Sequence, residues 1–176
     1  MLPKDKNELL CRIEGKASMG QMMRRYWMPA LKSEDLMAGG APKRVRLFGE
    51  DLVAYRSPDG SLGLVDEYCP HRGASLVLAR NEECGLRCIY HGWVMNAEGK
   101  VLETPAEGGD SKIHERITIT HYKVQEAGGI VWAYLGPEEL EPPLPALEFT
   151  RYPDSQIVIL RAREYANWAQ CFEGAI

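Results

Sequence analysis

The chain has 176 residues, room for one ordinary domain with some extra chain but not for two large domains and a connector. Hydrophobic residues make up 45% and charged residues 26%, and a mean hydropathy of -0.31 excludes a membrane-embedded chain. Lys plus Arg number 21 against 25 Asp plus Glu, a formal charge of -4, which argues against nucleic acid as a partner because phosphate binding needs a concentrated basic face.

The opening Met1-Leu2-Pro3-Lys4-Asp5-Lys6 puts charges and a proline where a secretory signal has its apolar core, and no later apolar run approaches membrane-spanning length. A cytoplasmic protein without membrane contact is expected. Cys11, Cys69, Cys84, Cys88 and Cys171 are an odd set, which argues against a secreted disulfide scaffold and leaves metal binding or plain burial.

From Asn7 to about Leu36 the pattern is helical, with a break at Gly15. Ser18 is placed to cap a second helix, with Gln21 in capping-box position. Met19, Met22, Met23, Tyr26 and Trp27 recur at helical spacing, a stripe expected to pack on the rest of the molecule, and Pro29 is expected to end the run. After Gly39-Gly40-Ala41-Pro42 the character changes to short strands between turn signals. They are expected at Val45–Leu47, Leu52–Tyr55, Leu62–Val65, Gly85–Cys88, Trp93–Met95, Val101–Glu103, Ile117–Gln125 and Ile130–Leu135. So many short strands imply an antiparallel sandwich or barrel. Pro142-Pro143-Leu144-Pro145 reads as a stiff connector. A further strand over about Gln156–Glu164 and a helix opening at Asn167 follow, too little chain for a core of their own.

Two segments carry the chemistry: Cys69-Pro70-His71-Arg72-Gly73 and Cys88-Ile89-Tyr90-His91-Gly92-Trp93, with 16 residues between His71 and Cys88. Each supplies one thiolate and one imidazole, and a glycine after the histidine lets the backbone turn tightly around a bulky ligand. A structural zinc held by two Cys and two His is the plainer reading. Zinc modules, however, usually segregate a Cys pair from a His pair, whereas here both halves are mixed. Mixing suits two metals, with one Cys from each loop on one iron and one His from each loop on the other.

The pair of segments resembles the binding motif of Rieske 2Fe-2S proteins. The resemblance implies that Cys69, His71, Cys88 and His91 ligate such a cluster. Two ferric ions, two sulfides and two thiolates carry no net charge beside neutral imidazoles, so an electron is accepted more readily than by an all-cysteine cluster. Cys69 and Cys88 are then the anchors of the inner iron, and His71 and His91 the edge where electrons arrive and leave. High-potential Rieske proteins of the cytochrome bc type add a disulfide and a serine donor. Ala74, Tyr90 and Trp93 stand at the corresponding positions here, which predicts a lower potential.

Beyond the loops, Asn7-Glu8-Leu9-Leu10, Arg24 to Leu31, Gly49 to Ala54, Gly128 to Tyr134 and Ala166 to Gly174 are similar to the oxygenase components of the phthalate 4,5-dioxygenase group of Rieske non-haem iron aromatic-ring-hydroxylating oxygenases. The resemblance implies a mainly β fold, a Rieske iron-sulfur antiparallel β-sandwich. Residues 1–41 form an N-terminal helical arm, 42–140 the Rieske domain, and 141–176 a linker and the truncated start of an α+β catalytic domain. It also implies that the longer protein hydroxylates an aromatic acid with O2, using a mononuclear Fe(II). Electrons would come from an NAD(P)H-dependent flavin or iron-sulfur reductase, in a homotrimer or a multiple of it. The Asp-x-x-His stretch of that iron site is not in this sequence, and no catalytic residue is assigned. His114 and His121 are expected to be ordinary loop or strand residues, Cys11, Cys84 and Cys171 buried or idle thiols, Arg72 a solvated charge beside His71, and Glu173 a plain helical glutamate. A free-standing Rieske ferredoxin and a zinc-stabilised interaction module are the competing readings.

Overall fold

A computed structural model describes residues 2–108 and 111–175. In chain order the elements are α1 (Lys4–Cys11), α2 (Ser18–Met23), β1 (Met28–Lys32), β2 (Lys43–Leu47), β3 (Glu50–Arg56), β4 (Leu62–Asp66), β5 (Arg80–Glu82), β6 (Gly85–Arg87), β7 (Val94–Met95), β8 (Val101–Glu103), β9 (Lys123–Ala127), β10 (Ile130–Tyr134) and α3 (Trp168–Ala175). The strands pair antiparallel in three small sheets, ordered β1-β10-β9, β2-β3-β4 and β5-β6-β7-β8. The expected mainly β, antiparallel architecture with an N-terminal helical start is what forms.

The sheet β2-β3-β4 is the middle layer. Alternation along β3 sends Leu52 and Ala54 into one core with Ala30, Leu31, Val131 and Ala133 of the first sheet. It sends Val53 and Tyr55 into the other, with Leu86, Trp93, Met95 and Val101 of the third. A strand buried on both faces reads as a continuous apolar run, as Leu52-Val53-Ala54-Tyr55 does. The two cysteines of the motif, Cys69 and Cys88, belong to the second core. Trp27, Trp132 and Tyr134 make a third, smaller cluster against Leu144 and Phe149. There the Trp27 indole donates to the Pro142 carbonyl at 2.8 Å, so the proline connector is fastened to the first sheet.

Five local expectations are corrected. The helical reading through Leu36 fails at Met28, because Met28–Lys32 forms β1. Pro29 sits there without cost, since β1 is an edge strand that pairs only with β10 and its register shifts just after Pro29. Ser18 opens α2 but Ala17 occupies the cap position, and Gln21 turns back to donate to the Gly15 carbonyl at 3.0 Å. Of the apolar stripe, Trp27 is buried whereas Met22 and Tyr26 are exposed. The long strand at Ile117–Gln125 is instead two isolated bridges, Lys100 to Thr118 and Val65 to His121, before β9 starts at Lys123. The strand at Gln156–Glu164 has no ladder partner; Val158 and Leu160 stand 82% and 88% exposed, so an apolar pattern exists without a sheet to receive it. Asn167 caps α3 through the Ala169 amide and donates to the Cys11 carbonyl, which joins α3 to the end of α1.

Candidate metal centre

Both motif segments are loops at one end of the third sheet. Loop 1 runs over residues 67–79 between β4 and β5, and loop 2 over residues 88–93 between β6 and β7. They close by the same backbone bonds. In loop 1 the Cys69 amide donates to Ala74 and the Gly73 amide returns to Cys69, both at 2.9 Å. In loop 2 the Cys88 amide donates to Trp93 at 2.8 Å and the Gly92 amide returns to Cys88 at 3.0 Å. Each return bond needs a left-handed residue, and Gly73 and Gly92 supply φ of 68° and 73°.

This closure points the thiols inward and leaves the imidazoles nearer the surface. Cys69 and Cys88 are each 3% exposed, while the His71 side chain retains 18% exposure. The His71 and His91 rings meet edge-on with centroids 4.6 Å apart. His71 lies flat on Trp93, at 4.7 Å and 2° between planes, and the exposed Tyr90 ring covers His91 at 3.8 Å. All four residues expected from the sequence therefore come together, two sulfurs within the core and two rings above it.

The electrostatics are those of a buried thiol. Burial, with a contribution from the neighbouring Cys88 thiol, pushes the Cys69 thiol up to about 11, so the thiolate forms only where positive charge offsets desolvation. His71 Nδ1 is buried and has no hydrogen-bond partner, the condition of a nitrogen whose partner is a metal. Among the described residues no three His, Cys, Asp or Glu side chains are arranged around a single ion; a bridged two-iron cluster asks for only two protein ligands per iron. The donor set, two soft thiolates and two imidazoles, fits that cluster.

Two charged networks that sequence reasoning missed brace the loops. Glu67, 1% exposed, accepts from Arg44 Nε at 2.7 Å and from Arg44 Nη2. It also accepts the Ser75 hydroxyl at 2.7 Å, while its carbonyl receives the Leu76 amide, so it clasps both ends of loop 1. The Arg44 guanidinium holds the Glu67 carboxyl below the usual glutamate range against the opposing effect of burial. In loop 2 Arg87 donates to the Gly92 carbonyl at 3.0 Å and to Glu82 and Glu103 at 2.7 and 2.8 Å. The signal for Glu67 was the alternation: Val65 inward and Asp66 outward leave position 67 facing in, and a buried carboxylate needs partners.

The remaining residues stay apart from this centre. His121 is exposed, His114 lies in a short 3-10 turn, Cys84 is exposed, and Cys11 and Cys171 are half-buried near the α1–α3 contact. Arg72 and Glu173 are exposed. Glu107 Oε1 stands 3.8 Å from His71 Nε2, close enough for charge to be felt but too far for a hydrogen bond. No helix among the described residues is long and apolar enough to cross a membrane.

Comparison with known proteins agrees with the geometry. The family described as Rieske [2Fe-2S] domain matches residues 26–123. The chain is 48% identical to the oxygenase subunit of phthalate 4,5-dioxygenase from Pseudomonas putida over 100% of its length and 40% of that protein's. It is 45% identical to the oxygenase subunit of 3-chlorobenzoate-3,4-dioxygenase from Comamonas testosteroni, over 99% of this chain and 40% of the relative. Thus it spans about two-fifths of the length of these curated relatives. Among solved structures it is similar to dicamba monooxygenase bound to dicamba, with TM-score 0.63 and 26% identity over 72% of this chain and 39% of that one. It is also similar to the oxygenase in the oxygenase–ferredoxin complex of carbazole 1,9a-dioxygenase, with TM-score 0.60 and 35% identity over 69% and 31% of the two chains. With its two Cys-His loops closed alike around one buried pair of thiols, this chain belongs to the Rieske 2Fe-2S family, and its cofactor is the cluster of that family.

Proposed function

We propose that this chain is the electron-transfer part of a ring-hydroxylating oxygenase, with Cys69 and Cys88 ligating the inner iron and His71 and His91 the outer one. The observation that carries the ligand assignment is the unpartnered, buried His71 Nδ1 beside the His91 ring, above two buried thiols. When bound, the cluster supplies a site that takes up and gives back one electron. The protein's own residues do the rest. Trp93 and the second core keep water from the thiols, the two cysteine-closed loops fix the ligand positions, and the rings of His71 and His91 provide the least covered route to a partner.

Residues 1–41 supply an arm whose last strand, β1, is built into the first sheet, 42–140 the rest of the Rieske domain, and 141–176 a linker and the beginning of the catalytic region. The greater length of the oxygenase-subunit relatives supports a catalytic region with its own mononuclear iron. Relatives named for phthalate and 3-chlorobenzoate favour an aromatic acid as substrate. A redox protein as electron donor is supported by the oxygenase–ferredoxin complex among the structural neighbours; an NAD(P)H-dependent reductase, a trimeric assembly and the cytoplasm complete the reading.

The test is iron and acid-labile sulfide per chain, with the EPR spectrum after reduction. About two of each are expected, and His71→Ala or His91→Ala abolishes the Rieske-type spectrum. Zinc alone, or alanine variants whose colour and spectrum are unchanged, overturns the assignment. A free electron carrier is separated from an oxygenase part by expressing the protein with the longer relatives' remaining length: only the oxygenase part gains substrate-dependent O2 consumption.

A further inference from the structure

Trp93 is 1% exposed, yet its indole Nε1 is buried without a hydrogen-bond partner. Trp27 and Trp132 have found one, in the Pro142 carbonyl and in the Ala127 carbonyl at 3.1 Å; Trp168 Nε1, on the distant α3, also lacks one, so it is the surroundings of Trp93 that distinguish it. A buried donor left unmet is costly, so its acceptor is sought among what the site would hold.

Two contacts fix where Trp93 stands. Its carbonyl receives the Cys88 amide, and its ring lies parallel to the His71 ring. The residue is thus tied by its backbone to one proposed inner-iron ligand and stacked by its side chain on a proposed outer-iron ligand. The stacked rings carry one unmet nitrogen each, His71 Nδ1 and Trp93 Nε1. One requires something that accepts a lone pair, and the other something that accepts a proton in a hydrogen bond. Around them the core is mostly aliphatic, with Leu76, Leu86 and Val101; its side-chain acceptors are the two cysteines, the Met95 thioether and the Tyr55 hydroxyl, which is itself unpartnered. An iron–sulfur cluster answers both needs at once, iron for the imidazole and sulfur for the indole.

We propose that the Trp93 indole N–H donates to a sulfur of the cluster, either a cysteine Sγ or a bridging sulfide, and thereby sets its reduction potential. The proposal rests on the assignment of Cys69, His71, Cys88 and His91 as ligands. Electron density on sulfur grows on reduction, so the bond stabilises the reduced state more than the oxidised one and raises the potential. Trp93 is a positioning and tuning residue that holds the His71 ring by stacking and acts on the potential through its N–H.

The experiment uses the cluster-bearing protein. Iron, sulfide and the reduced EPR spectrum of the unaltered chain come first; failure at this step is failure of the ligand assignment and not of the role of Trp93. Trp93→Phe keeps an aromatic face for His71 and removes the donor. The expected result is unchanged iron and sulfide with a more negative potential in protein-film voltammetry. In parallel, the unaltered protein grown with 15N-indole tryptophan is expected to show hyperfine coupling between the reduced cluster and an indole nitrogen in pulsed EPR. A cluster-bearing Trp93→Phe variant with an unshifted potential overturns the proposal, as does absence of that coupling. Should the variant fail to hold a cluster, the 15N measurement on the unaltered protein decides alone; a water as the true acceptor would leave no such coupling.

Discussion

Loops 1 and 2 use one backbone scheme but are braced by opposite charges. Loop 1 is clasped by an anion, Glu67, sealed inside the fold and reached by an arginine from a strand 23 positions away. Loop 2 is clasped by a cation, Arg87, which directly precedes Cys88 and shares itself among two carboxylates and a carbonyl near the surface. The same geometry is thus secured once by a long-range contact from a half-exposed arginine to a buried carboxylate and once by a largely covered arginine paired with partly exposed carboxylates. Buried charge that loses its partner is far more expensive than an exposed pair that loses one, so the two loops differ in how they fail.

The largest effect separating them is expected from Arg44→Met, which leaves the Glu67 carboxylate buried with only Ser75 as donor. It is read as a lower denaturation midpoint with unchanged urea slope. An equal loss for Arg87→Met would abolish the distinction. Gly92→Ala comes next. Alanine must hold a left-handed φ there, and its Cβ would stand 3.0 Å from Pro105 Cγ, for a cost of about 2 kcal/mol. Gly73→Ala has the same φ penalty but open space around the new Cβ, so it costs about 1 kcal/mol. Thermal melts of the two alanine variants sharpen the comparison, with Gly92→Ala the less stable.

Arg87→Met removes partly exposed pairs and one carbonyl bond and is expected to cost about 1 kcal/mol, less at high salt. The smallest effect lies away from the loops, at Arg56 and Glu126. Arg56 holds the Glu126 carboxyl below the usual glutamate range, through hydrogen bonds of 2.9 and 3.1 Å. A carboxyl depressed in the folded state adds stability above its unfolded value and loses it as pH falls through the folded one. Glu126→Gln should therefore match the parent in acid and fall slightly behind it above about pH 4.5; a difference that grows on acidification would reverse the sign.

The four ligand candidates were legible because each loop presents its donors within a few residues, and the chemistry of thiolate plus imidazole restricts the metals that suit them. The clasp of Glu67 was not, because Arg44 reads as an ordinary outward residue of β2 and only the folded register of β2 on β3 brings it across to loop 1. β1 was hidden for a related reason. Met28–Lys32 follows a helical stripe and contains a proline, and its strand character comes from β10, a hundred residues later, rather than from its own letters. The reverse holds at residues 156–164, where the letters favour a strand but no described neighbour offers a ladder. Turn and motif chemistry is local and readable; edge strands and buried counter-ions are made by distant chain.

The doubly covered β3 has an implication for how disturbances spread. Leu52 and Val53, adjacent in sequence, face different cores, so any change that shifts this strand must be felt simultaneously by the sheet carrying the helical arm and by the compartment that encloses the thiols. A substitution on either face of β3 is therefore expected to disturb both the first sheet and the core that holds Cys69 and Cys88.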